Sequence, residues 1–226
     1  SFVGGGIYAD SAKVFVRNTQ FIANTSDSGG GAMSSESVTL VIEDSLFLQN
    51  ITNGTRGGAL DLEHVNVTIV RSQFYQNQSE WLGGAISINN PVTNGTSDDE
   101  GNPLDQVDDS PMYIQMATLI PGYQSTLEAH PSGVFQDFQE DTQIHENCFA
   151  NNIIVDPIEL NFSSAIIGKS TNAENNYFGN ASGPSGGGPG TGDGLGRRIN
   201  FAPFLTGSPA YCDPDLSQQV QENHNQ

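Results

Sequence analysis

The chain has 226 residues, of which 35% are hydrophobic and 26 are glycine. So small an apolar share argues against a helical bundle, and the glycines suit an all-β chain with many tight turns. With 7 basic against 26 acidic residues and a formal net charge of −19, the chain lacks the cations that phosphate neutralisation requires, which excludes nucleic acid and favours cations or basic surfaces as partners.

No stretch has the length and apolarity of a membrane-spanning helix or the layout of a signal peptide, so the chain is read as not membrane-embedded. It opens at Ser1 rather than Met and reads as a mature or excised piece of a larger product.

From the first residues onward a repeat sets the organisation. Anchored on glycine pairs, it starts at Gly5-Gly6, Gly30-Gly31, Gly57-Gly58 and Gly83-Gly84, with steps of 25, 27 and 26 residues. A short alternating strand follows each pair: Ile7-Tyr8-Ala9, Ala32-Met33-Ser34, Ala59-Leu60-Asp61-Leu62 and Ala85-Ile86-Ser87-Ile88. Aliphatics come next, at Val14/Val16, Leu40/Ile42 and Val67/Ile69, then a small hydroxyl at Thr19, Ser45 or Ser72. A second anchor, Phe-x-x-Asn, closes each unit at Phe21/Asn24, Phe47/Asn50, Phe74/Asn77 and, after an interruption, Phe149/Asn152. Ile144 and Asn147 fill the aliphatic and hydroxyl positions before Phe149. The alternation places these side chains on one face of each strand.

A period near 26 with two or three strands per unit predicts a parallel β-helix, one coil per repeat, stacked about 4.8 Å apart. Like residues then stand above like residues, in a phenylalanine stack and an amide ladder. No single coil can bury its own apolar face, so several must stack. The glycine pair is expected at a corner that turns tightly or needs positive φ.

The repeat stops between Pro91 and Glu140, and the fold is expected to carry residues 91–141 as one long inserted loop that packs in part on the flank of the helix. No Lys or Arg lies between Arg71 and Lys169, a span with 14 acids that includes Asp98, Asp99, Glu100, Asp105, Asp108 and Asp109. Its carboxylates suit Ca²⁺, but no EF-hand spacing is present, and a solvated acidic surface is the simpler reading. No other cofactor is indicated.

Asn-x-Ser/Thr sequons stand at Asn24, Asn50, Asn53, Asn66, Asn77, Asn94, Asn161 and Asn180. With a single cysteine pair, Cys148 and Cys212, they point to a secreted or cell-surface glycoprotein with one disulfide, which would pin the polar tail 207–226 to the single β-helix domain 1–206. Asn24, Asn50 and Asn77 are at once sequons and ladder residues, and an inward asparagine cannot carry a glycan. Asn152 holds the same slot with no sequon, which favours the ladder for all four. The expected glycan acceptors are therefore Asn53, Asn66, Asn94, Asn161 and Asn180.

"GGAISIN" (Gly83 to Asn89) and Phe-x-x-Asn resemble the repeats of polymorphic outer-membrane proteins and related surface proteins built on right-handed, pectin-lyase-like β-helices. The segment from Asn175 to Leu205, "NNYFGNASGPSGGGPGTGDGLGRRINFAPFL", is similar to one that closes such helices, with Phe178 and Phe204 where the family usually has Trp. The resemblance covers residues 1–90 and 142–206. It implies a right-handed parallel β-helix, a fold shared by adhesins, lyases, hydrolases and filament proteins.

Catalytic chemistry is not written into the repeat. Arg17, Glu43, Asp44 and Arg71 fall in adjacent slots where stacking sets opposite charges side by side, which favours outer-surface pairs over catalysis. His64, His130, His145 and His224 share no metal-like spacing. The expected function is a non-enzymatic structural unit of a surface filament or matrix, or an adhesin; the alternative is a carbohydrate-active enzyme with its acids in the insertion. The N-terminal end, including Phe2 and Val3, is expected to meet earlier coils or another copy of the chain, with Arg197 and Arg198 as further assembly contacts. Glycans are further possible partners.

Overall fold

A computed structural model describes residues 4–54, 56–89, 142–155, 165–167, 171–196 and 199–213. The first coil runs through β1 (Ile7–Asp10), β2 (Lys13–Arg17), β3 (Gln20–Ile22) and β4 (Thr25–Ser26). The second contains β5 (Met33–Glu36), β6 (Thr39–Glu43), β7 (Leu46–Leu48) and β8 (Ile51–Thr52). The third contains β9 (Leu60–Glu63), β10 (Asn66–Val70), β11 (Gln73–Tyr75) and β12 (Gln78–Ser79). The fourth contains β13 (Ile86–Asn89), β14 (Thr142–His145), β15 (Cys148–Ala150) and β16 (Ile153–Ile154). The C-terminal part adds β17 (Ile166–Ile167), β18 (Thr171–Asn172), β19 (Pro184–Gly186), β20 (Gly192–Leu195) and β21 (Ile199–Asn200).

Corresponding strands of successive coils pair parallel into four sheets, ordered β1-β5-β9-β13-β17-β20-β19, β2-β6-β10-β14-β18-β21, β3-β7-β11-β15 and β4-β8-β12-β16. The protein is an all-β parallel solenoid of about five coils, as the repeat predicts. Alternation decides which side chains face inward. In β1 the pattern is buried-exposed-buried-exposed, and β6 buries Leu40 and Ile42 while Thr39, Val41 and Glu43 stay partly open. The inward columns are apolar: Ile7, Met33, Leu60, Ile86 and Ile166 on the first sheet, and Val16, Ile42, Ile69 and Ile144 on the second. They form one continuous core. In the first coil, too, the inward Val14 and Phe21 are buried, at 1% and 2% exposure.

The strand register corrects the glycine anchor. Ile7 pairs with Met33, so Gly5 stands opposite Gly31 rather than Gly30, and the steps are 26, 27 and 26 residues. Both early coils carry three consecutive glycines, Gly4–Gly6 and Gly29–Gly31, so a pair alone does not fix the alignment. The inward apolar side chains do. Positive φ falls on the first glycine of each run, at Gly4, Gly29, Gly57 and Gly83 (60–70°). The other corners take left-handed residues with side chains, among them Ser37, Asp44, Arg71 and Gln76. At Gly57 and Gly83 a Cβ would run into the carbonyl of Leu60 or Ile86, which confines this one corner to glycine.

The interruption leaves the stack intact. β13 ends on the first sheet at Asn89, and β14 resumes on the second with Thr142 opposite Val67 and Ile144 opposite Ile69. In the third coil the same connection is the corner His64-Val65 between β9 and β10. The insertion 91–141 thus replaces a two-residue corner within one coil; its residues, including the candidate Ca²⁺ acids, lie outside those described.

Candidate functional site

The repeated polar residues hold coil to coil. Asn50 uses its backbone N–H and its Nδ2 to donate to Asn77 Oδ1 (3.0 and 2.9 Å), and Asn77 does the same to Asn152 (3.0 and 3.0 Å). Asn24 donates likewise to Asn50 (3.2 and 2.9 Å). The second Nδ2 hydrogen reaches back to the preceding coil's phenylalanine carbonyl, Asn50 to Phe21 (3.0 Å), Asn77 to Phe47 (3.0 Å) and Asn152 to Phe74 (2.9 Å). Asn50 and Asn77 are wholly buried, and every polar atom of these amides has a partner, as burial demands.

Asp193, which no periodic signal marks, ends this ladder. Its Oδ2 accepts from Asn152 N (3.1 Å) and Nδ2 (2.7 Å). Burial pushes the Asp193 carboxyl up to about 6, against the pull of those donors. A second ladder links Thr19, Ser45, Ser72, Asn147 and Asn176, each backbone N–H donating to the next coil's side-chain oxygen (3.2, 3.2, 2.8 and 2.8 Å). Phe21, Phe47, Phe74 and Phe149 stack with ring centroids 4.8, 4.7 and 5.1 Å apart, and Phe178 continues the stack at 5.6 Å. Sequence reading missed Asn176 and Phe178 as members. The signal was present, because Asn147-x-Phe149 recurs as Asn176-x-Phe178.

On the outer faces opposite charges pair between coils. Arg17 meets Glu43 at 2.9 Å, and Arg71 grips Asp44 with two bonds of 2.7 and 3.0 Å. The Arg71–Asp44 pair is exposed and the Arg17–Glu43 pair half-buried; near-surface pairs of this kind contribute little each. The outer face of the first sheet is acidic: Asp10, Glu36 and Glu63 stand in register. Beside them Asp61 lies between Ser34 and Ser87 in its column. Burial, aided by Glu63 and opposed by Arg56, pushes the Asp61 carboxyl up to about 7. Among the described residues no group of three or more His, Cys, Asp or Glu is placed to hold a metal ion, and no helix is long and apolar enough to cross a membrane. His64 and His145 sit at different parts of the stack, at a corner after β9 and at the end of β14; His130 and His224 lie outside the described residues.

A strap crosses the outer face of the third sheet. Cys148 and Cys212 are bridged, with Cα atoms 6.0 Å apart, and Asp213 N–H donates to Gln73 Oε1 at 2.9 Å. The bridge therefore ties the tail to the third and fourth coils. It closes over Leu46, Leu48 and Tyr75, which form a second apolar cluster with both cysteines. Burial pushes the Tyr75 phenol above its ordinary range.

Of the five expected glycan acceptors, Asn53 and Asn180 are exposed, and Asn66 is half-buried on the outer side of β10. Asn180 Oδ1 accepts from both the N–H and the hydroxyl of Ser182 (2.9 and 2.9 Å). Asn94, Asn161, Phe2, Val3, Arg197 and Arg198 lie outside the described residues. The chain matches no protein-family model, no curated protein and no solved structure.

Proposed function

We propose that the chain is a non-enzymatic β-solenoid module of a secreted or cell-surface protein, of the right-handed pectin-lyase-like class, serving as a structural unit of a filament or matrix or as an adhesin. The observation that carries this reading is the amide ladder from Asn24 through Asn50, Asn77 and Asn152 to Asp193, which uses the most regular polar positions of the repeat to hold coils together. Such a column gives stiffness along the coil axis, and the outer faces remain for contact. The cysteine bridge is in keeping with an oxidising compartment. Electron microscopy of native material is expected to show filaments or surface-anchored rods.

Asp61 supports a second reading, a carbohydrate-active enzyme. Burial raises the Asp61 carboxyl to about 7, so about half of it stays protonated at neutral pH, as a general acid requires, with the Glu63 carboxylate nearby. A reducing-end assay on acidic polysaccharides separates the two. Clear turnover that disappears in Asp61→Asn establishes the enzyme and removes the structural module; absence of turnover across uronate polymers leaves the module standing.

A further inference from the structure

Among the described residues the fold sets two pairs of sequons apart chemically. In Asn50 and Asn77 both Nδ2 hydrogens are committed, one to the next ladder amide and one to a phenylalanine carbonyl, and the side chains have no exposed surface. An N-linked sugar would remove one of those hydrogens and force a bulky polar group into the closed stack. Asn180 is the opposite case. It is exposed at a turn closed on its Oδ1 by Ser182, and its Nδ2 donates to no described residue. The sequon hydroxyl is itself held, with Ser182 Oγ lying 3.1 Å from Thr191 Oγ1 and accepting from Thr191 N at 3.0 Å. Asn53 is likewise exposed, and among the described residues only its backbone N–H is engaged, with the Ser26 carbonyl.

We infer that Asn180 carries an N-linked oligosaccharide, with Asn53 as a second acceptor, and that Asn50 and Asn77 carry none. The inference rests on the extracellular reading. The donor is an oligosaccharide on a polyisoprenoid pyrophosphate. The Asn180 Nδ2 forms a bond to the anomeric carbon as the bond from that carbon to the pyrophosphate oxygen breaks. The electron pair leaves with the pyrophosphate, one Nδ2 proton passes to a base on the transferase, and the other remains on the new secondary amide.

The test maps sites in two preparations of the full chain, one secreted from a eukaryotic cell behind an added signal and one from the native source. Glycan removal in heavy-oxygen water converts each occupied asparagine to a labelled aspartate, read by mass spectrometry. The expected result is label at Asn180 and Asn53 in both preparations and none at Asn50 or Asn77. Asn180→Gln and Ser182→Ala each lower the apparent mass by one glycan, and Ser182→Thr restores it. Label at Asn50 or Asn77 in folded protein overturns the sorting by the ladder. An unlabelled Asn180 beside labelled sequons elsewhere overturns the Asn180 assignment and leaves the extracellular reading intact. An unlabelled native protein, with Asn180 labelled in the secreted preparation, overturns the native modification and leaves the extracellular reading to be judged on the cysteine bridge.

Discussion

Phe47 has a parallel ring on either side, at 4.8 and 4.7 Å, with interplanar angles of 7° and 1°. Aromatic pairs left to themselves prefer offset or edge-to-face contact. Here the strand spacing imposes the separation, so the stack is a product of backbone pairing that the rings then fill. Truncating Phe47 to Ala opens a cavity between two rings and is expected to cost about 3–5 kcal/mol. Phe21, with one ring neighbour among the described residues, is expected to cost less, and matching urea midpoints for the two variants would count against the stack as the source. Asp193 gives a pH signature. Its folded-state pKa is raised to about 6, so the folded chain holds that proton more tightly than the unfolded one. Stability is therefore lost as pH rises from the ordinary carboxyl range, about 4, through 6. Asp193→Asn keeps the acceptor oxygen and removes the charge. It is expected to raise the Tm at pH 7 and to leave it nearly unchanged at pH 4, as measured by calorimetry; an equal rise at both values would mean that charge is not the cause.

At the scale of a strand and its corner, glycine is demanded at the turn that opens each of the first four coils. Gly57→Ala places a side chain at φ +64° and drives its Cβ into the Leu60 carbonyl. The left-handed penalty alone is about 1–2 kcal/mol, and the overlap adds to it. Ala23, at φ +52°, already bears such a penalty, so Ala23→Gly is expected to be neutral or mildly stabilising. Opposite signs in chemical denaturation would confirm that corner geometry, not glycine content, is what the repeat specifies. This also explains what was legible. Phe, Asn and the aliphatics recur because stacked strands place each against its own copy, so periodicity exposed the sheets and the ladder. Runs of three glycines blurred the register by one residue. Asp193 lay in a glycine-rich stretch with no repeating side chains, and Asp61 became notable only once burial was known.

Across the whole molecule, one covalent link joins distant parts of the chain. Cys148 and Cys212 are 64 residues apart, and closing a loop of that length contributes on the order of 4 kcal/mol by the chain-entropy argument. Cys212→Ser is expected to lose stability of that order and to increase dye binding as the strap over Leu46, Leu48 and Tyr75 loosens. Two free thiols in native material, found by mass spectrometry, would contradict the bridge. The interrupted coil carries a wider lesson. The chain leaves the first sheet at Asn89 and rejoins the second at Thr142, in step with the coil before it. The corner thus works as a port: new sequence can be plugged in there without altering the pitch or the contacts of the stack.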